Sequence, residues 1–182
     1  MTNTAITDNY TKTDILEAII MSTIILSLMF FTFFFALLKP VNAQESILTS
    51  EQILTQTNQL RAQKNLPPLV ENPLLDNAAN AKAKDMLAQD YWNHINPQGK
   101  TPWQFVREAG YEYQTAGENL ALNYMSAESV IAAWRNSPTH NLNQMNPSYS
   151  QIGISVERGQ LKGKETYLIV AEYASPKSVT TN

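Results

Sequence analysis

The chain has 182 residues, with 13 Lys and Arg against 16 Asp and Glu, two histidines and no cysteine. That length fits one domain plus an additional segment. The near-balanced, scattered charge gives no electrostatic footprint for nucleic acid or for an anionic membrane surface. The lack of cysteine excludes a disulfide framework, a thiolate metal site and a cysteine nucleophile.

The additional segment lies at the N-terminus. Residues 18–38, AIIMSTIILSLMFFTFFFALL, carry no charged side chain. A helix rises ~1.5 Å per residue and the hydrocarbon core of a bilayer is ~30 Å thick, so about 20 apolar residues suffice to span it. Val41 and Ala43 then offer the small-residue pattern that a signal peptidase reads. Cleavage after Ala43 and retention as a membrane anchor are both open, and Lys12 and Lys39, one on each side, do not orient the segment. Either way the remainder is expected outside the cytoplasm, secreted or tethered to the cell membrane. The expected plan is residues 1–43 as signal peptide or membrane anchor, 44–49 as polar linker, 50–175 as the folded domain and 176–182 as a polar tail.

Ser50 is read as the cap of a helix from Glu51 to about Lys64, with Asn65 as its terminator. Leu66 to Leu69, LPPL, is a rigid extended connector, because two prolines fix the backbone and remove donors. Pro73 opens a helix to about Gln89 whose apolar face is rich in alanine, which favours helix and admits a close neighbour. DYWNHINPQG reads as a loop, and Thr101-Pro102 to Gly110 as a short helix. Ser126 caps a further helix to Asn136, ended by Pro138, and HNLNQMNPSYS is irregular or helical. Residues 151–157 alternate apolar and polar as a strand, residues 166–173 have the apolar run of a central strand, and RGQLKGK between them fits a hairpin. Helices first and strands last indicate an α+β domain.

The groups able to do chemistry are few. His94 and His140 bracket AGENLAL, residues 116–122, which holds Glu118 and Asn119. Imidazole is both a general base near neutral pH and a common metal ligand. Each residue also has a plainer reading: His94 as a loop residue packed beside aromatics, Glu118 as a carboxylate at a helix N-terminus, and His140 as a helix-end histidine on the last carbonyls. No pair stands at a helical i, i+4 spacing, so the residues form one site only if the fold brings them together. Trp92, Trp103 and Trp134 are read first as core.

LPPL, ENPLLDNAANAKAKDM, His94, AGENLA and AAWRNSPTHNLNQMNPSYSQIGI follow in order. In that order they resemble the CAP superfamily of cysteine-rich secretory, antigen 5 and pathogenesis-related proteins, closest to its cysteine-free bacterial secreted branch. The resemblance covers about Ser50 to Ala174. It implies a three-layer α-β-α sandwich with a central antiparallel sheet, and a ligand-binding cleft containing His94, Glu118 and His140. Asn119 then becomes a brace of the Glu118 turn, and Trp134 a structural support. Many members carry a further glutamate three residues after the tryptophan; here Ser137 stands at that offset.

Two functional classes follow. A binding module would hold a lipid, a cell-wall fragment or a peptide. A hydrolase would use a histidine as base or a metal-bound water. Zinc is the expected ion, on His94 and His140 with Glu118 as a direct or indirect partner; three protein ligands are the usual catalytic minimum. A structural or adhesive envelope role is the third reading. No essential cofactor and no oligomeric state is read from the sequence.

Overall fold

The structure is a computed structural model and describes residues 12–37 and 48–178. The chain divides into two compact units after Gln44. The cleavage site at Val41–Ala43, residues 44–47 of the linker, and the end of the polar tail lie outside the described residues.

Among its described residues the first unit contains one helix, α1 (Lys12–Leu37). Its stretch Ile15–Phe33 has a mean hydropathy of 2.1 and none of it is buried in the protein. A 26-residue helix with an uncovered apolar surface fits a signal sequence or a membrane anchor, since a soluble core helix would be covered.

The second unit is mixed. In chain order it contains α2 (Ser50–Ala62), β1 (Val70–Glu71), α3 (Pro73–Ala88), α4 (Pro102–Glu108), β2 (Tyr113–Leu122), α5 (Ala127–Asn136), α6 (Pro138–Gln144), β3 (Gln151–Leu161) and β4 (Lys164–Pro176). The sheet order is β1-β3-β4-β2. All pairings are antiparallel except the short parallel contact of β1 with β3.

Strand β4 lies between β3 and β2, and its alternation builds both faces of the sheet. Ile169, Ala171 and Tyr173 join a cluster with Ile53, Leu60, Val130 and Trp134 of α2 and α5. Leu168 and Val170 pack instead with Ala79, Ala83 and Met86 of α3, and Ala174 with Leu75 and Phe105. A strand covered on both sides needs apolar residues at odd and even positions alike, which is why YLIVAEYA has no simple polar alternation. The result is the expected α-β-α arrangement.

Local signals set most of the ends. Asn72 caps α3, accepting from Leu74 N at 2.9 Å, and Pro73 fills the first helical position. Asn65 stops α2 in the left-handed region at φ 56°. Lys162 and Gly163, with φ of 51° and 71°, form the two-residue turn between β3 and β4, narrower than the seven-letter hairpin segment suggested. Two local readings are corrected. Thr49, not Ser50, caps α2: its hydroxyl accepts from Gln52 N at 3.2 Å while Gln52 Oε1 accepts from Thr49 N at 3.1 Å. And residues 116–122 belong to β2, so Glu118 is not at a helix N-terminus. Glu, Leu and Ala all favour helix, but pairing with β4 from Tyr113 to Leu122 satisfies the backbone and buries Leu120 and Ala121.

Gly153 sets the distance between α3 and the sheet. A Cβ there would lie 2.0 Å from the Leu75 carbonyl carbon and 2.2 Å from Asp76 N. The approach is fastened by Ile154 N donating to Asp76 Oδ1 at 2.9 Å. Backbone cannot yield as a flexible side chain does, so Gly153→Ala should cost at least ~3 kcal/mol, the upper end of ordinary overpacking. Denaturant unfolding is the check; a parent-like midpoint would contradict this close approach.

Candidate functional site

His94, Glu118 and His140 come together. All three line one cavity of about 430 Å³, with Asn143, Thr101 and Thr139 as further polar lining and Ile95, Pro102 and Trp103 as apolar lining. His94 is delivered by the loop after α3, Glu118 by the edge strand β2, and His140 by the first turn of α6.

His94 Nδ1 is 2.5 Å from Glu118 Oε1. The imidazole side chain is 50% exposed and the carboxylate side chain 2%, so Glu118 acts from beneath the ring. Bonding at Nδ1 fixes the ring orientation and leaves Nε2 as the nitrogen free to meet a ligand. His140 Nδ1 is similarly engaged, 2.9 Å from Ser137 Oγ. Its ring is therefore not resting on the last carbonyls of a helix. It stands at the start of α6, and Ser137 holds it.

The backbone around these side chains is stitched by amides. Asn119 Nδ2 donates to the His140 carbonyl at 3.0 Å, and Asn143 Nδ2 donates to the Glu118 carbonyl at 3.1 Å and to Asn119 Oδ1 at 2.8 Å. Trp134 Nε1 donates to the Leu120 carbonyl at 3.0 Å. Gly117 leaves room for the crossing: a Cβ there would lie 2.6 Å from Asn143 Oδ1 and 2.5 Å from the Tyr149 hydroxyl. Arg61 fixes the far end of α6. Its buried guanidinium donates to the carbonyls of Pro67, Gln144, Asn146 and Tyr149 at 2.9, 2.8, 3.0 and 3.2 Å.

Two charged residues that the sequence reading passed over lie under the site. Lys82 of α3 is fully buried, and its Nζ donates to the Asn93 and His94 carbonyls at 2.9 and 2.7 Å and to the Tyr91 hydroxyl at 2.9 Å. The Tyr91 hydroxyl donates in turn to Asp85 Oδ2 at 2.6 Å. Lys82 thus holds the loop that presents His94. Glu172 of β4 pairs directly with Glu118 across the sheet and is fully buried. Burial first, and the Glu118 carboxyl next, push Glu172 well above the usual carboxylate range, against the opposing pull of Lys82. Glu172 is the inner carboxyl of the pair, and Glu118, which meets His94, is the outer one.

Both residues had a sequence signal. Lys82 falls on the buried stripe of Leu75, Ala78, Ala79, Ala83 and Met86, where a lysine is out of place unless its ammonium has partners. Glu172 interrupts the apolar run of the central strand. Trp92 and Trp103, read as core, are only half-buried and line cavities, whereas Trp134 is core, 1% exposed.

The zinc expectation on His94 and His140 lacks a third donor. Among the described residues no group of three or more His, Cys, Asp or Glu side chains is placed to hold a metal. The Glu118 oxygen nearest the site is already bonded to His94 Nδ1, and its other oxygen is buried without a hydrogen-bond partner. These residues do not make the three-ligand set of a catalytic zinc, and no step is derived through a metal.

The family model for the cysteine-rich secretory protein family, CAP, matches residues 54–173. The chain belongs to this family, and it is a CAP-domain protein of extracellular type. It is 35% identical over 112 residues to YkwD of Bacillus subtilis, covering 61% of this chain and 44% of that protein. It is 31% identical over 111 residues to the membrane protein YlbC of the same organism, covering 60% of this chain and 32% of that one. The chain spans less than half the length of either relative. Among solved structures it resembles an extracellular SCP-domain protein from Bacillus anthracis, with a TM-score of 0.59 and 25% identity, covering 68% of this chain and 39% of that one. Such relatives and the uncovered apolar helix together fit secretion or membrane tethering.

Burial first, and the neighbouring His94 second, hold His140 below the ordinary imidazole range. The folded state therefore disfavours the protonated ring. Its contribution to stability is full above the unfolded-state pKa and is lost as pH falls toward the lower folded-state value. In NMR titrations His140 should titrate below a free imidazole, and His94→Ala should raise its pKa. An unchanged His140 titration in that variant would show that the two rings do not share a field.

Proposed function

We propose that the CAP domain is an extracytoplasmic binding module whose His94–Glu118–His140 cleft holds a polar fragment of the cell envelope without turning it over. The observation that carries this reading is the state of the two imidazoles. Each has its Nδ1 engaged by a protein side chain, and each borders an open cavity that mixes hydrogen-bonding and apolar walls. Fixed donors and acceptors beside an indole and a proline suit recognition, because orientation comes from the polar groups and affinity from the apolar ones.

A hydrolase is the second reading, favoured by the 2.9 Å contact of Ser137 Oγ with His140 Nδ1, which has the spacing of a nucleophile and its base. Against it, Ser137 sits at the junction of α5 and α6 immediately before Pro138 and is not part of the cavity lining. Its hydroxyl orients His140 more readily than it reaches a ligand in the cleft.

The test is retention of the full chain, in detergent micelles, on purified insoluble cell-wall sacculi. We expect saturable retention, no release of soluble fragments, and about tenfold weaker retention in His94→Ala, the loss of one charge-assisted or ligand-facing hydrogen bond. Absence of retention would sink the binding reading. Soluble fragments that disappear in Ser137→Ala would transfer the cleft to hydrolysis.

A further inference from the structure

The cavity does not end at the histidines. A second depression, of about 270 Å³, is bounded by Trp92, Asn93 and Leu120 and shares His94 and His140 with the first. A third, of about 420 Å³, shares Trp92 and Asn93 with the second and Ile95 with the first, and ends at Asp90 and Lys162. Each of the three shares lining residues with both of the others, so they are neighbouring stations around the loop of residues 92–95. The imidazoles are common to the first two, with Trp103 in the wall of the first and Trp92 in the wall of the second. Two of the stations lie in the lower half of the ~300–1,000 Å³ of a small-ligand pocket and one lies below it; together they fit a chain.

We propose that this groove seats an extended, uncharged glycan chain, with sugar rings against Trp103 and Trp92 and the two imidazoles hydrogen-bonding the unit between them. The assignment rests on the binding reading above and names its ligand class.

Three observations choose a glycan over other polymers. The charged groups bordering the groove are few and of both signs: Glu118 is turned inward onto His94, and the Asp90 carboxylate accepts from the Lys162 amide at the far end. An anionic polymer would need a cluster of cations, which these walls do not form. An extended peptide would gain most by adding to the edge strand β2. There the outward carbonyls of Glu118 and Leu120 are already taken by Asn143 and Trp134. A lipid tail needs a lining that is apolar throughout, whereas an asparagine amide lines each of the three stations, joined by imidazoles in the first two and by hydroxyls in the first and third. What remains is a ligand with apolar ring faces and hydroxyl edges. The face of an indole attracts the C–H groups of a sugar ring, and its half-buried setting keeps the ring in place.

The test uses the full chain in detergent micelles and chito-oligosaccharides of increasing length, with affinity read by calorimetry. Affinity should climb about tenfold from the monosaccharide to the trimer and then level off, as the two units flanking the central one each gain an indole contact. Trp92→Ala and Trp103→Ala should each flatten that climb, and Trp92→Tyr should restore most of it. The tyrosine variant separates a stacking role from a structural one, since it keeps an aromatic face. Length-independent affinity in the parent protein would overturn the groove while leaving a ligand-binding cleft intact. Retention on sacculi with no affinity for any oligomer would overturn the glycan assignment alone. Loss of both would remove the binding reading itself.

Discussion

The constraint on which the domain depends is the sealing of an edge strand. Strand β2 pairs with β4 on one side only, and its other side presents carbonyls that must find donors or water. The Trp134 indole and the Asn143 amide supply them at Leu120 and Glu118. Asn119 answers by donating to the His140 carbonyl. Donors and acceptors thus pass both ways between β2 and the α5–α6 segment, so the strand and the helices fix each other. Sealing the edge and assembling the cleft are one event, because the residues that bond across the seam flank Glu118 and His140.

Beneath the seam a second network holds the other histidine. A lysine drawn fully into the protein costs several kcal/mol of desolvation unless its donors are used. Lys82 uses them on two carbonyls of the His94 loop and on Tyr91, beneath a sheet face that carries Glu118 and Glu172. The rings of Tyr91 and Phe105 lie 4.7 and 5.5 Å from its ammonium and add a favourable face to the same charge. The cleft is therefore braced from both sides: amides and Arg61 fix α6 and its following loop, and an ammonium fixes the loop after α3. Groups held in this way would lose little freedom on meeting a ligand, which is the preorganisation the proposed binding role calls for.

The same bracing limits the chemistry. Glu118 gives one oxygen to His94 and is paired with the buried Glu172 of β4, and its remaining oxygen is buried in the protein. A carboxylate placed there orients an imidazole. It is badly placed to ligate an ion at the cavity surface or to activate water there. His140 is held by the neutral hydroxyl of Ser137 and not by a second charge.

Much of this was legible along the chain. Helix caps, the proline starts, the closing hairpin and the N-terminal apolar segment depend on neighbours a few residues apart, and local chemistry sets them. Ordered motifs placed the family, and with it the three residues of the cleft. Helix α2 shows the limit of such reading, since two adjacent hydroxyl residues compete for its cap and only Thr49 has its partner three residues on in Gln52. Strand β2 shows the larger limit. GENLAL contains good helix formers, and its extended form is decided by β4, some fifty residues later in the chain. The sequence by itself determined which residues are available for chemistry and which segments are apolar enough to be buried or to meet a membrane. Only the tertiary structure decided that Glu118 and Glu172 share one buried pair, that Lys82 points under His94, and that two of the tryptophans line cavities. The physical reason is the same in each case: these contacts join residues far apart in the chain, and their energies depend on burial, which no local window contains.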